Sequence, residues 1–181
     1  SRNNDVTVNL GENSEVIHHG LHDESDWSVT VTNTGDSTNT GGRVFRSLKY
    51  LNDERFLCTY GDGLADININ ELLAFHKSHG KMVTVSAVRP PARFGEMKLE
   101  SDGRVQSFKE KPQMNEGWIN GGFFVFNPDF FDFISGDSTL LEREPLEMAS
   151  LKGQLMAYRH EGFWHCMDTK RDHELLEKMW V

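Results

Sequence analysis

The chain has 181 residues and a net charge of −9, from 19 lysines and arginines against 28 aspartates and glutamates. This length suits one domain with a sizeable core, and an acidic balance without a basic block argues against nucleic-acid binding. No apolar run reaches the roughly 18 residues of a transmembrane helix. The two unpatterned cysteines favour a reducing, cytoplasmic location.

Two short strands are the first predicted elements. Residues 6–10 and 27–35 alternate between apolar and polar side chains and are rich in β-branched residues. The polar segment between them holds His18, His19 and His22. Their spacing fits neither a helix face nor a strand face, so we predict a solvated loop rather than a metal site.

A loop of small residues, 36–42, then opens a predicted helix. The loop is rich in helix-capping residue types, and Val44, Leu48 and Leu51 follow at helical spacing. A glycine-bearing loop at a helix start can receive a phosphate or a base edge through bare backbone N–H groups.

The stretch from Phe56 to Asp66 is predicted to be a buried strand followed by an acidic turn. Gly61 and Gly63 leave backbone room around Asp62, whose carboxylate could then face a metal ion near phosphates. Gly-Asp-Gly is also a common β-turn composition, so both interpretations stay open at this point.

An amphipathic helix is predicted next, capped by Asn68 or Asn70 and ended by Gly80. Its apolar stripe is formed by Ile69, Leu72, Leu73 and His76, and we interpret His76 as a core histidine. A strand over 82–88 and a hairpin over 94–109 follow. The hairpin leads to Glu110 and Lys111. Pro112 favours an extended backbone at Lys111, which ends the strand and presents both charged side chains there.

The segment 118–126 is predicted to be a buried strand interrupted by Gly121 and Gly122, which indicates a bulge or an approaching ligand. A helix over 141–152 and a strand over 155–160 follow.

Asp168 then precedes a closing helix that begins with a Thr169 and Asp172 capping box. Asp168 is either a simple N-cap or a functional carboxylate.

Alternating strands and helices predict a single α/β domain over residues 1–181, with a mixed, mostly parallel sheet flanked by helices.

Several motifs also occur in a family order: Gly61-Asp62-Gly63, Glu110-Lys111-Pro112, Asn120-Gly121-Gly122 and Met167-Asp168-Thr169. In this combination the chain resembles the sugar-1-phosphate nucleotidyltransferases of Rossmann-like fold. It is most similar to the glucose-1-phosphate cytidylyltransferase branch, and the resemblance runs from about Val6 to the C-terminus.

The resemblance implies a cytoplasmic, homo-oligomeric enzyme that makes CDP-glucose and pyrophosphate from CTP and glucose 1-phosphate. It implies that Asp62 and Asp168 bind a catalytic Mg²⁺ and that Lys111 contacts the sugar phosphate. Further substrate contacts are implied for Glu110, Asn120, Gly121 and Gly122 at the sugar and for Thr40 and Gly41 near the base.

The chain departs from the family pattern in one respect. Family members carry a glycine-rich G-G-x-G-T-R loop that cradles the triphosphate, and no such string occurs in this sequence. We therefore expect a chain that resembles the C-terminal two-thirds of the family fold, either a fragment or a shortened relative. By itself it should show no measurable synthesis of CDP-glucose. The alternatives are a non-catalytic sugar-phosphate-binding or assembly module, and a transferase that uses UTP or dTTP.

Overall fold

The computed structural model describes residues 5–10, 28–51, 55–90, 96–109 and 117–179. In chain order its elements are β1 (Asp5–Leu10), β2 (Ser28–Asn33), α1 (Thr40–Ser47), β3 (Phe56–Thr59), β4 (Gly63–Ala65), α2 (Ile69–His79), β5 (Val83–Val88), β6 (Glu96–Leu99), β7 (Val105–Lys109), β8 (Ile119–Phe126), α3 (Glu144–Leu151), β9 (Leu155–His160), β10 (Trp164–Cys166) and α4 (Lys170–Met179). Two short 3-10 helices span Leu48–Tyr50 and Pro128–Phe133.

The chain divides into two compact units. The first combines Ser1–Phe56 with Phe126–Leu155, and the second combines Leu57–Val125 with Met156–Val181. The mixed α/β class is confirmed, because helices and strands alternate along the chain and the described strands pair in both directions. Strands β1 and β2 pair in parallel, whereas β4 with β10 and β6 with β7 pair in antiparallel. The assignment of the whole chain to one domain stays a prediction.

The first unit is built around a cluster of phenylalanine rings. Phe126 stacks on Phe130 at 4.6 Å between ring centroids, and Phe131 packs against both Phe56 and Phe126. Such aromatic pairs add to the large apolar area that each ring buries. Phe130 and Phe131 therefore contribute to this core from a 3-10 helix.

The second unit contains most of a four-stranded sheet in the order β3, β8, β5, β9. Helix α2 lies on this sheet, with Leu72 fully buried against Ile67 and Val125. The Asn68 side chain caps the helix by accepting the N–H groups of residues 70 and 71, and Gly80 ends it in the left-handed conformation, with φ of 63°.

His76 is a core histidine, as predicted. It is 1% exposed, and its Nδ1 lies 2.8 Å from the hydroxyl of Thr84 on β5. The hairpin is also confirmed: β6 and β7 pair across a turn in which Asp102 accepts the Arg104 N–H and Gly103 has φ of 87°.

The expectation that β3 is buried is wrong. Leu57 is 44% exposed, and burial alternates along the strand. Half-buried and exposed side chains alternate because successive side chains of a strand point to opposite faces, and only one face of β3 meets the core. His18, His19 and His22 lie outside the described residues. Within the described ranges, no helix is long and apolar enough to cross a membrane.

Candidate functional site

Asp62 and Asp168 lie at the same end of the two-stranded ladder formed by β4 and β10. Asp62 occupies the turn before β4, and β10 pairs with β4 in antiparallel register, with Cys166 opposite Gly63. The backbone N–H of Met167 extends this ladder by donating to the Asp62 carbonyl at 2.8 Å. Asp168 is the next residue, so the ladder places at one end the backbones of two aspartates that are 106 residues apart in the chain.

Both aspartates are exposed, so a metal ion or a substrate could reach their carboxylates. The Asp168 carboxylate accepts a hydrogen bond from the Cys166 thiol, at 3.3 Å from the sulfur. Burial raises the pKa of the Cys166 thiol, and the hydrogen bond to Asp168 raises it further. The thiol is therefore held protonated, and it donates to Asp168 rather than competing with it as an anion.

The interpretation of Asp168 as a simple N-cap is wrong, because Thr169 has that role. The Thr169 carbonyl accepts the His173 N–H at 3.1 Å, and its hydroxyl accepts the Asp172 N–H. The Asp172 carboxylate accepts the Thr169 N–H at 2.9 Å in return. The predicted capping box is present, and it leaves the Asp168 carboxylate just before the first turn of α4.

The donor set consists of carboxylate oxygens, which suit a hard divalent cation. Among the described residues, no group of three or more His, Cys, Asp or Glu side chains is placed to hold a metal ion. Mg²⁺ is usually held by one or two carboxylates, with water and substrate phosphates completing its octahedron. Two exposed carboxylates at one end of a ladder match that pattern.

Gly121 and Gly122 lie beside this ladder, and both are needed for packing within the protein. A Cβ on Gly121 would lie 2.6 Å from the Ser86 hydroxyl, and Gly122 has φ of 80° with the Tyr60 ring 2.7 Å from its Cβ position. The close approach of Ser86 and Tyr60 therefore accounts for the glycine pair, and the predicted bulge stays a prediction.

The polar groups of this segment are held by neighbouring side chains. The Asn120 amide donates to the Tyr60 hydroxyl at 3.2 Å, and its oxygen accepts the Gly122 N–H at 2.8 Å. The indole N–H of Trp164 donates to the Gly121 carbonyl at 2.8 Å. Sequence reasoning assigned no role to Tyr60 or Trp164, because both residues reach this segment from distant parts of the chain.

Thr40 and Gly41 begin α1 in the first unit, and their polar groups are engaged by residues of the same unit. The Thr40 hydroxyl donates to Glu142 at 2.8 Å and accepts the Leu141 N–H at 3.0 Å. The Gly41 N–H donates to the Thr139 carbonyl. The expectation that the Gly41 N–H is free to bind a ligand is wrong, because the N–H is already hydrogen-bonded to this loop carbonyl. The contact of these two residues with a base stays a prediction.

Glu110 and Lys111 lie outside the described residues, so their predicted contacts with the sugar phosphate stay predictions. The described site therefore consists of the two carboxylates and the segment from Asn120 to Gly122.

Comparisons with known proteins give a consistent result. Residues 1–170 match the family described as Nucleotidyl transferase. A glucose-1-phosphate cytidylyltransferase from Salmonella typhi is 48% identical over 97% of this chain and 68% of its own length. A probable glucose-1-phosphate cytidylyltransferase from Bacillus subtilis is 42% identical over 85% of this chain and 60% of its own length.

A solved structure supports the fold assignment. HddC from Yersinia pseudotuberculosis superposes with a TM-score of 0.71, over 98% of this chain and 79% of that one, at 18% identity. The chain therefore has the fold of this protein, and the sequence relatives carry the information about chemistry.

Proposed function

The chain belongs to the nucleotidyl transferase family, and from this premise we propose that it transfers a cytidylyl group from CTP to glucose 1-phosphate. An oxygen of the sugar phosphate attacks the α-phosphorus of CTP. The bond from that phosphorus to the bridging oxygen of pyrophosphate breaks. The products are CDP-glucose and pyrophosphate. Pyrophosphate is the leaving group, and its oxygen keeps the electron pair of the broken bond.

One observation carries the proposal: the Met167 N–H bond to the Asp62 carbonyl places Asp62 and Asp168 at one end of the β4 and β10 ladder. These two carboxylates would hold Mg²⁺. The bound ion would neutralise charge on the nucleotide and sugar phosphates. The protein itself would contribute positioning and charge complementarity rather than a covalent intermediate.

The remaining roles follow the family pattern. Lys111 would contact the sugar phosphate as a point charge, and Glu110 would accept hydrogen bonds from sugar hydroxyls. The segment from Asn120 to Gly122 would support the sugar, with Asn120 as its exposed polar group. Thr40 and Gly41 would lie near the base. A homo-oligomeric state and a cytoplasmic location stay predictions.

The comparisons favour catalysis over the non-catalytic module and over the expectation that the chain is inactive. The relative from Salmonella typhi is similar across nearly the whole chain and is named for cytidylyl transfer. The same name favours CTP over UTP or dTTP.

The test is product formation by the purified chain. We expect CTP, glucose 1-phosphate and Mg²⁺ to give equal amounts of CDP-glucose and pyrophosphate by chromatography, with less product from UTP or dTTP. Asp62→Asn should lower the rate at least about a hundredfold. Asp129→Asn, which changes an exposed carboxylate in the first unit, should leave the rate unchanged. A folded protein that forms no product with any nucleotide would contradict the proposal.

A further inference from the structure

A buried histidine closes the β4 and β10 ladder at the end opposite the two aspartates. The Asp66 N–H donates to the Phe163 carbonyl at 3.2 Å, directly beyond the last ladder pair, Ala65 with Trp164. The His160 Nε2 lies 2.9 Å from a carboxylate oxygen of Asp66 and 3.1 Å from the Phe163 carbonyl. Because both partners are acceptors, Nε2 carries the proton and shares it between them.

This corner leaves no room for a side chain at Gly162. A Cβ there would lie 2.4 Å from a carboxylate oxygen of Asp66 and 2.7 Å from Cε1 of His160. His160 is 9% exposed, whereas the side chain of Asp66 is largely exposed. The imidazole is therefore fixed by packing, and it holds an otherwise solvated carboxylate and a turn carbonyl in place.

The ladder needs such a fixing point because it is very short. It has three residue pairs: Trp164 with Ala65, His165 with Leu64, and Cys166 with Gly63. A two-stranded ladder is marginal in water without support, and a slip of one residue moves each side chain to the other face. Such a slip would also replace Met167 as the residue opposite Asp62 and so move Asp168 relative to it.

We propose that His160 is a positioning residue for the metal site: it fixes the register of β10 on β4 and thereby the position of Asp168 relative to Asp62. The inference rests on the proposed function, because it acts through the two carboxylates assigned there to the metal. Residues that orient metal ligands from outside the coordination sphere commonly change metal affinity by about 10- to 100-fold.

The test measures Mn²⁺ binding to the full chain by the loss of the free-ion electron paramagnetic resonance signal, without substrates. His160→Leu removes the shared proton donor and should raise the Mn²⁺ dissociation constant about tenfold. His160→Gln keeps an N–H group near the position of Nε2 and should stay within about threefold of the wild type. Asp66→Asn changes an exposed side chain and should give an intermediate value, which tests the proposal if His160→Leu does not fold.

A destabilised control separates positioning from general stability. Thr84→Val removes a buried hydroxyl from β5 and should lower the thermal midpoint without changing Mn²⁺ affinity. If His160→Leu and Asp66→Asn bind Mn²⁺ as the wild type does, the positioning role is wrong while the metal site stands. A wild-type chain that does not bind Mn²⁺ would overturn both.

Discussion

The indole N–H of Trp164 donates a 2.8 Å hydrogen bond to the Gly121 carbonyl. Trp164 is the first residue of β10, and Gly121 lies in β8, next to the exposed Asn120. The contact therefore joins the ladder that carries the two aspartates to the strand proposed to support the sugar.

Trp164→Phe should weaken use of the sugar phosphate. The ring is kept and the donor is lost, so the Gly121 carbonyl is no longer held, at a cost of about 1 kcal/mol. We expect the KM for glucose 1-phosphate to rise about fivefold, with the KM for CTP nearly unchanged, in steady-state assays of pyrophosphate release. Trp118→Phe is the matched control, since the Trp118 ring stacks with Arg89 and has no role in the proposed site. Equal KM values for Trp164→Phe and wild type would show that this hydrogen bond does not position the sugar strand.

Gly122→Ala should destabilise the protein by about 2–5 kcal/mol in urea unfolding. A left-handed backbone costs an ordinary residue about 1–2 kcal/mol, and the overlap with Tyr60 adds about 1–3 kcal/mol.

Two glycines serve as controls for Gly122→Ala. Gly80 has φ of 63° and open space at its Cβ position, so Gly80→Ala should show only the backbone cost. Gly61 has open space and no positive φ, so Gly61→Ala should be nearly neutral. Equal losses for Gly122→Ala and Gly80→Ala would mean that the Tyr60 ring does not restrict Gly122.

A hydrogen-bonded chain between α2 and β5 fixes the tautomers of two histidines. The Lys81 N–H donates to Nδ1 of His79, so the proton of His79 lies on Nε2 and points at the Thr84 hydroxyl, 2.7 Å away. Thr84 then donates its own proton to Nδ1 of His76, 2.8 Å away. Both imidazoles are neutral in this arrangement.

The free energy of unfolding should therefore fall at low pH, because His79 is neutral in the folded chain. Burial lowers the pKa of His79 below its usual value of 6.5, and repulsion from His76, once that imidazole is protonated, and from Lys81 lowers it further. The unfolded chain binds more protons than the folded chain between these two pKa values, so stability is complete above about pH 6.5 and falls as the pH drops below it.

The measurement is the free energy of unfolding in urea at pH 7.5 and at pH 5.5. We expect a lower value at pH 5.5 and a smaller difference for His79→Gln, whose amide does not titrate. The same pH dependence in both proteins would assign the effect to other groups.

Local chemistry predicted most helix and strand limits. Asn68 and Gly80 delimit α2, and Thr169 begins α4, because a cap depends on residues within one turn of each other. The sequence could not show which atoms fill the space over Gly121 and Gly122, since Ser86 and Tyr60 come from distant parts of the chain. The engagement of Gly41 by Thr139 was missed for the same reason.

The site was predicted in part. The motif order pointed to Asp62 and Asp168, and the antiparallel ladder supplies the contact that the sequence lacks. The sequence did not predict a role for His160. Its two hydrogen-bond acceptors, Asp66 and the Phe163 carbonyl, are recognised only from the folded structure.

The central claim is that Asp62 and Asp168 hold one divalent ion together, and Mn²⁺ titration of a double-mutant cycle tests it most directly. If the carboxylates share one ion, Asp62→Asn and Asp168→Asn should each weaken the one-to-one binding of Mn²⁺, and the double variant should bind no more weakly than either single one. Wild-type binding that survives both single substitutions, or losses that simply add in the double variant, would contradict a shared site.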